Sequence, residues 1–283
     1  MIFRTTKMAL SCQLANNYYP TKNYGVSSWW SSPKLDGVRG IYLPTEQAIF
    51  SRTLTLKFTG LDHILDICKQ QGYILDGELY IPGEPFDVIS GIVRGGKKYD
   101  IAKKQRLQFH IFAILPIGYW EWLSTQEMID AIPLVLPPSQ SIVVEITYTL
   151  IENNPVAIQA QNQFNKDNGL SLEGTMLRHP YRDYHEGRSD DLLKVKNFEK
   201  STFICTGFFK GTGKYSGSLG KISVQADILG VPVAARVGTG FTDAERLEIW
   251  NNQSNYRGRQ LEVIHLGLTK THSIRHPVFS RFI

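Results

Sequence analysis

Cysteine is scarce in this sequence, and long apolar runs are absent. The 283 residues include three cysteines, Cys12, Cys68 and Cys205, which lie far apart and lack metal-ligand spacing. No run is long enough to cross a bilayer, and the first ten residues lack the apolar core of a secretion signal. These features argue against a disulfide framework and a cysteine-bound zinc site. They predict an intracellular chain, in the cytoplasm or in a nucleoid or nucleus, with reduced thiols and no membrane partner.

An excess of either charge is also missing from the first two-thirds of the chain. Residues 202–283 contain ten Lys and Arg against five Asp and Glu, which leaves 21 of each sign in residues 1–201. The whole formal net charge of +5 therefore comes from the last third. A basic segment beside a neutral one indicates a polyanionic partner. A solvated basic face on a small domain explains the charge alone equally well.

The pattern of apolar and turn residues predicts an α+β fold in two domains. The first part reads as strands and turns with two helices, over GLDHILDICKQQG and NNPVAIQAQNQFNKDNG. From Thr202 onward, short strands and one helix, capped by Thr242 and Glu245, suit a small closed barrel, and an OB-fold is the preferred form. The predicted domains are residues 1–201 and 202–283.

The stretch SSPKLDGVRG places Lys34 two residues before an Asp-Gly pair. A lysine attacks an electrophile only as the neutral amine, which burial and nearby cations favour. Arg39, Lys194 and Lys196 are candidate neighbours if the fold brings them together. The Asp-Gly pair predicts a turn that fixes the approach of the next strand. On its own, the pattern fits a charged surface turn as well as a nucleophile.

Acidic and basic pairs further along the chain supply the other parts of a phosphoryl-transfer site. Asp76 and Glu78 in LDGEL share one face of a predicted strand, because side chains two residues apart point the same way. Glu173 in LEGTML has a similar apolar setting, and Lys194 and Lys196 in LLKVKN share a face that suits a phosphate. Carboxylates for a divalent metal and lysines for phosphate are what such a transfer needs.

The order of these motifs resembles the covalent nucleotidyltransferase superfamily of ATP-dependent DNA ligases, RNA ligases and mRNA capping enzymes. Along the chain stand Lys-x-Asp-Gly-x-Arg, Ser-Arg, Asp-Gly-Glu, an aromatic strand, Glu-Gly, Lys-x-Lys and a small barrel. SRT at 51–53, GTGF at 238–241 and RHPVF at 275–279 are similar to segments of the compact ATP-dependent DNA ligases of viruses and phages. The resemblance implies an ATP-grasp-like nucleotidyltransferase domain of antiparallel sheets with helices, followed by an OB-fold β-barrel.

The resemblance also implies an activity. A DNA ligase of this type seals nicks between a 3′-hydroxyl and a 5′-phosphate in duplex DNA, with ATP and Mg²⁺, in replication, repair or recombination. Lys34 would be the nucleophile that carries AMP before AMP passes to the DNA. The expected partners are ATP and nicked duplex DNA, and a monomer is expected. The alternatives are an RNA ligase, a capping guanylyltransferase, or a catalytically weak nick-binding protein.

Five further residues would serve the nucleotide by this resemblance. Arg39 and Glu78 would contact the ribose or the nick, and Phe112 in FHIFAI would stack on adenine. Lys194 and Lys196 would hold the α-phosphate and take part in catalysis. Ala113 follows Phe112 where the family usually has aspartate, which alters a neighbour of the adenine site.

Four residues would serve the metal and the DNA. Glu173, together with Asp76, would bind the metal and support the later catalytic steps. Arg52 would contact the 5′-phosphate of the nick, and Arg188 would also contact phosphate.

The sequence given ends at FSRFI, before an arginine-containing motif that orients pyrophosphate in relatives. Either Arg275 or Arg281 takes over that task or the charging of Lys34 is slow. The expectation is measurable but weak charging.

Overall fold

The computed structural model describes residues 12–95, 100–117, 123–136, 142–170, 173–228, 230–269 and 272–283. The chain divides into two units, the first ending at Val195 and the second comprising Lys196–Ile283. Each unit has a hydrophobic core of its own. Within the described ranges, none of the helices combines the length and the apolar character that a membrane crossing requires.

Two five-stranded sheets form the first unit. Its strands are β1 (Gln13–Asn17), β2 (Ser28–Pro33), β3 (Val38–Leu43), β4 (Ala48–Ser51), β5 (Tyr73–Tyr80), β6 (Gln108–Pro116), β7 (Val143–Glu145), β8 (Thr149–Glu152), β9 (Gly174–Arg178) and β10 (Gly187–Lys196). One sheet has the order β1-β10-β9-β2-β8 and the other the order β4-β3-β5-β6-β7.

The helices of the first unit cover these sheets. They are α1 (Asp62–Cys68), α2 (Phe86–Arg94), α3 (Ile101–Lys104), α4 (Thr125–Val135) and α5 (Pro155–Asp167). The predicted start of α5 is confirmed, because the Asn154 side chain accepts a hydrogen bond from the backbone N–H of Ala157. Helix α1 ends at Cys68, short of the predicted end at Gly72. Apolar residues of α1, α2 and α4 pack into the core that includes strands β3, β5 and β6.

The prediction of antiparallel sheets is wrong at two edges, because each sheet of the first unit is mixed. Strand β1 pairs with β10 in parallel, and β6 pairs with β7 in parallel. A parallel neighbour needs a long crossover connection. Helix α4 lies in the connection between β6 and β7, and most of the first unit separates β1 from β10. The apolar pattern of a strand does not show which strand it will pair with or whether the pair will be parallel.

The second unit is a five-stranded sheet of order β13-β12-β11-β14-β15, antiparallel throughout. Its elements are β11 (Glu199–Lys210), β12 (Leu219–Ile228), β13 (Val231–Val237), α6 (Asp243–Asn251), α7 (Gln253–Tyr256), β14 (Gln260–His265) and β15 (Val278–Phe282). A bridge between Thr239 and Val278 brings the two edges together, as the predicted barrel requires. The predicted capping box of Thr242 and Glu245 at the start of α6 is confirmed.

Candidate active site

A cavity of about 660 Å³ lies in the first unit and is lined by residues of both sheets. Most of the residues that the sequence singled out line it: Lys34, Arg39, Arg52, Glu78, Phe112, Arg188 and Lys194. Glu173 and Asp76 bind two of these residues, Lys34 and Arg39, instead of lining the cavity themselves. Lys196 is the last residue of β10 and the first residue of the second unit.

Lys34 directly follows β2 and is fixed at both its backbone and its side chain. Its backbone N–H donates to the carbonyl oxygen of Gly174 at 2.9 Å. Its Nζ atom donates to Oε2 of Glu173 at 2.6 Å. The two side chains are 21% and 11% exposed, so the ion pair is largely shielded from water. The start of β9 therefore holds the amine at the cavity wall.

The Asp-Gly pair after Lys34 does not form the predicted turn. No turn is assigned over residues 34–37, and Gly37 is absent from the glycines with positive φ. A Cβ atom at Gly37 would lie only 2.4 Å from the carbonyl oxygen of Leu79 on β5. Glycine is needed because the two backbones approach closely, and sequence alone does not separate that reason from a turn.

Arg39 is held by a buried carboxylate and a buried phenol. Its Nε atom donates to Oδ1 of Asp76 at 2.8 Å, and its Nη2 atom donates to Oδ2. The Tyr184 hydroxyl donates to Oδ2 of Asp76 at 2.7 Å. Burial opposes the charge of Arg39, but Asp76 outweighs it, so the pKa of Arg39 lies above its ordinary value. These contacts give Asp76 a clear task, the orientation of Arg39.

Phe112 on β6 faces the cavity, and two guanidinium groups lie near its ring. The Cζ atom of Arg39 lies 5.1 Å from the ring centroid, and that of Arg178 lies 5.8 Å away. The Tyr148 hydroxyl donates to the backbone oxygen of Phe112 at 2.6 Å. Arg178 in turn donates to Oε1 of Gln13 at 2.5 Å. The backbone of Phe112 is therefore held by Tyr148, and its ring offers an apolar surface to a flat ligand in the cavity.

Glu78 on β5 pairs in register with Arg39 on β3. We expect the carboxyl group of Glu78 to make the folded protein less stable as pH rises. Burial raises the pKa of Glu78 from 4.5 to about 8, although Lys34 and Arg39 lower it. The folded state then holds the proton that the unfolded chain has released, so the free energy of unfolding falls between these two values. We expect Glu78→Gln to remove this decline. Thermal melts of the wild type and the variant at about pH 5 and 8 measure the decline. A Tm difference between the two proteins that is the same at both pH values would contradict the prediction.

Carboxylates near Lys34 can contribute to a divalent metal site. Among the described residues, no group of three or more His, Cys, Asp or Glu could hold a metal ion alone. Glu173 lies close enough to Glu78 to raise the pKa of Glu78 through its charge. Mg²⁺ usually takes one or two carboxylates and completes its shell with substrate phosphates and water. The donor set therefore fits a Mg²⁺ ion that arrives with a nucleoside triphosphate.

Several cationic side chains surround the cavity and suit phosphate groups. Arg52 follows β4 and is exposed, and Arg188 on β10 donates to the backbone oxygen of Ala15 at 2.5 Å. Lys194 stands further along the same strand. Arg94, in the last turn of α2, also lines the cavity and was not recognised in the sequence. Arginine and lysine side chains around one space attract a polyanion.

Other residues of the site were also missed in the sequence. Met176 and Arg178 alternate with buried neighbours on β9 and line the cavity, so the period of two along the strand places these two side chains on one face. Tyr148 and Tyr184 carry no such signal. They lie in irregular segments and reach Phe112 and Asp76 only through the tertiary fold.

The second unit presents basic and aromatic side chains together. Lys221 and Arg236 lie over the Phe209 ring, with cationic centres 5.7 and 4.6 Å from its centroid. Lys214 lies 4.6 Å from the centroid of Tyr215, beside β11 and β12. Cations set on aromatic rings keep their charge available to an anion while their side chains are ordered. Three of the basic residues in this unit, Lys214, Lys221 and Arg236, are therefore held in place by aromatic rings.

Solved structures share the fold of this chain. The protein named Pmar-Lig_PreS3 is 22% identical, with a TM-score of 0.81 over 96% of this chain and 67% of that chain. A structure from a study of Lig E DNA ligases is 24% identical, with a TM-score of 0.78 over 96% and 99%. The ATP-dependent DNA ligase from bacteriophage T7, in complex with ATP, is 20% identical, with a TM-score of 0.57 over 96% and 98%. At these identities the likeness establishes the fold.

Family models match both units. Residues 210–282 match the DNA ligase OB-like domain, which confirms the predicted OB-fold. Residues 12–196 match the ATP dependent DNA ligase domain, which covers well over half of the chain. Curated protein sequences gave no match. Because the matched domain contains the motifs around Lys34, Glu78, Glu173 and Lys194, the chain belongs to the family of ATP-dependent DNA ligases.

Proposed function

We propose that the chain seals nicks in duplex DNA through a covalent lysyl-AMP intermediate on Lys34. The observation that carries this proposal is the shielded contact of 2.6 Å between Lys34 and Glu173 at the wall of a cavity rich in cations. A surface lysine in an ordinary turn would have neither the shielding nor the cationic neighbours. The first unit carries out adenylyl transfer, and the second unit binds DNA.

In the first step, Nζ of Lys34 attacks the α-phosphorus of ATP. A P–N bond forms as Nζ loses a proton to the carboxylate of Glu173, the bond from the α-phosphorus to the bridging oxygen breaks, and pyrophosphate leaves. Phe112 stacks on adenine, and Met176, which also lines the cavity, adds an apolar contact. Arg39 and Glu78 contact the ribose, and Lys194, joined by Lys196, holds the α-phosphate. The ordered cations stabilise the charge that develops during the transfer.

In the later steps, AMP moves to the DNA and leaves again. An oxygen of the nick 5′-phosphate attacks the α-phosphorus, the P–N bond breaks, and Lys34 is regenerated. The 3′-hydroxyl then loses its proton and attacks the 5′-phosphorus, which forms the phosphodiester and expels AMP. Arg52 and Arg188 hold the 5′-phosphate of the nick. The carboxylate of Glu173 is a candidate acceptor for protons in these steps, and its contact with Lys34 supports that role.

Mg²⁺ bound with ATP would supply positive charge against the phosphate oxygens. Glu173 and Glu78 offer carboxylate oxygens for it, because both lie beside Lys34. Asp76, expected from the sequence to assist the metal, has its two carboxylate oxygens engaged with Arg39 and Tyr184. We therefore propose that Asp76 acts on the nucleotide through Arg39.

The DNA partner and its setting complete the proposal. The ordered Lys221, Arg236 and Lys214 of the second unit contact the phosphate backbone, so binding is independent of base sequence and weakens steeply with salt. The chain acts as a monomer inside the cell, where ATP and nicked DNA are both present.

A labelling experiment tests the proposal directly. The protein is incubated with Mg²⁺ and ATP labelled in the α-phosphate, in parallel with labelled GTP and NAD⁺, and the denatured chain is examined for label. We expect label from ATP alone, and we expect a chase with nicked duplex DNA to release it with sealing of the nick. Absence of label from all three nucleotides would contradict the proposal. Label from GTP would favour a capping activity, and a chase that responds only to nicked RNA would favour an RNA ligase.

A further inference from the structure

Helix α5 reaches the start of strand β9 through a group of buried polar side chains. The Thr175 hydroxyl donates to Oδ1 of Asn162 at 2.9 Å and accepts from Nδ2 of Asn165 at 2.8 Å. All three residues are at most 2% exposed. We call this group of Asn162, Asn165 and Thr175 the α5–β9 clasp. Gln161, one turn before Asn165, donates to its Oδ1 atom at 3.2 Å and extends the chain of hydrogen bonds.

The clasp lies on the opposite face of the sheet from the cavity. Met176 and Arg178 of β9 line the cavity, so Thr175 and Leu177 point to the other face. On that face Leu177 packs with Ile158 of α5. The clasp therefore touches neither nucleotide nor metal, and any effect on the reaction has to pass through the backbone of β9.

The backbone at this point carries the reacting amine and its partner. Glu173 and Gly174 directly precede Thr175, and the carbonyl oxygen of Gly174 accepts the backbone N–H of Lys34. Thr175 itself pairs in register with Pro33, the residue before Lys34. The pair of Thr175 and Pro33 carries no hydrogen bond of the ladder between β2 and β9, because bonded and non-bonded pairs alternate and the neighbouring pair of Gly174 and Lys34 is the bonded one. The side-chain hydrogen bonds of Thr175 to Asn162 and Asn165 restrain β9 from its other face, at a pair where the ladder to β2 has no bond.

We infer that Thr175, held by Asn162 and Asn165, is a positioning residue that sets Glu173 and Gly174 against Lys34. The inference rests on the proposed function for its catalytic consequence. A fully satisfied buried polar network admits few alternative arrangements, since any shift leaves a donor or acceptor without a partner. A displacement of about 1 Å at reacting groups can cost a hundredfold in rate. The clasp fixes the strand at the position where that sensitivity is greatest.

Matched variants separate positioning from general loss of packing. Thr175→Val keeps the shape and removes the hydroxyl, and Thr175→Ser keeps the hydroxyl. The control is Thr125→Val, which removes another buried hydroxyl of the first unit, one that donates to the backbone oxygen of Arg182 at 3.3 Å. If Thr175→Val does not fold, Asn165→Ala weakens the clasp while leaving the bond from Thr175 to Asn162.

The first readout is the rate of lysyl-AMP formation. We expect Thr175→Val to lower the rate at saturating ATP about tenfold or more, with the half-saturating ATP concentration changed less than about twofold. Thr175→Ser should recover most of the rate, and Thr125→Val should retain it, each measured on folded protein. Equal losses in the Thr175→Val and Thr125→Val variants, or no recovery in Thr175→Ser, would overturn the inference.

The second readout needs no nucleotide, so it separates this inference from the proposed function. Hydrogen exchange at the Lys34 amide reports its bond to Gly174. We expect about tenfold faster exchange in Thr175→Val and no change in Thr125→Val. If wild-type protein takes no label from ATP, the proposed function fails while exchange still decides on the clasp. Unchanged exchange at Lys34 in Thr175→Val overturns the inference whatever the activity.

Discussion

Lys34→Ala is expected to lose AMP transfer from ATP by at least about a thousandfold while keeping the fold, because no other group replaces the attacking amine. The variant should nevertheless seal a nick that already carries a 5′-adenylate. In that last step the bonds form and break at the DNA phosphate, and the amine is not a reactant. Labelling with α-phosphate-labelled ATP and sealing of pre-adenylated nicked DNA measure the two parts separately.

Two further variants sharpen this result. Lys34→Arg keeps a cation beside Glu173 but lacks a nucleophilic amine, so it should be as inactive in charging as Lys34→Ala. Lys22→Ala removes an exposed lysine that pairs with Asp190 and should charge like the wild type. Charging retained in either Lys34 variant would place the nucleophile elsewhere. Loss of sealing on the pre-adenylated nick would show that Lys34 acts in more than the amine chemistry.

Asp76→Ala is expected to destabilise the first unit by about 3–5 kcal/mol, because it leaves a buried guanidinium without its counter-charge. Asp76 is fully buried, and both Arg39 and Tyr184 depend on its oxygens. Urea unfolding followed by circular dichroism measures the change in the free energy of unfolding. Glu84→Ala breaks the exposed contact with Arg106 and should cost less than about 1 kcal/mol.

Comparable losses in Asp76→Ala and Glu84→Ala would contradict the assigned role of Asp76. Asp76→Asn offers an intermediate case, since the amide oxygen still accepts one hydrogen bond from Arg39 while the charge is lost. We expect its stability to lie between that of the wild type and that of Asp76→Ala.

Helix starts could be predicted from neighbouring residues in the sequence, whereas strand directions depend on the tertiary fold. The caps at Asn154 and Thr242 act within one helical turn, so the starts of α5 and α6 were readable. Strand direction depends on distant partners, which is why the parallel pairs of β1 with β10 and β6 with β7 were missed.

The candidate site shows the same division. Lys34, Glu78 and Glu173 carry reactive groups in distinctive strings, so their types and order pointed to the chemistry. Gly37 was misread because close backbone approach and a turn select the same residue. Tyr184 was missed because its hydrogen bonds to Asp76 and Arg39 join it to residues 108 and 145 positions away in sequence. The residues that support the site are recognisable only in three dimensions.

The surroundings of strand β9 limit which substitutions this sequence can accept. Its five residues have no solvent face, since Met176 and Arg178 meet the cavity while Thr175 and Leu177 meet α5. Gly174 adds the carbonyl that receives Lys34. An ordinary surface strand tolerates exchange at every second position, whereas substitutions anywhere along β9 should be selected against, for alternating reasons. A short string such as EGTMLR can then still identify the family, even where the sequence is only about a fifth identical to another ligase.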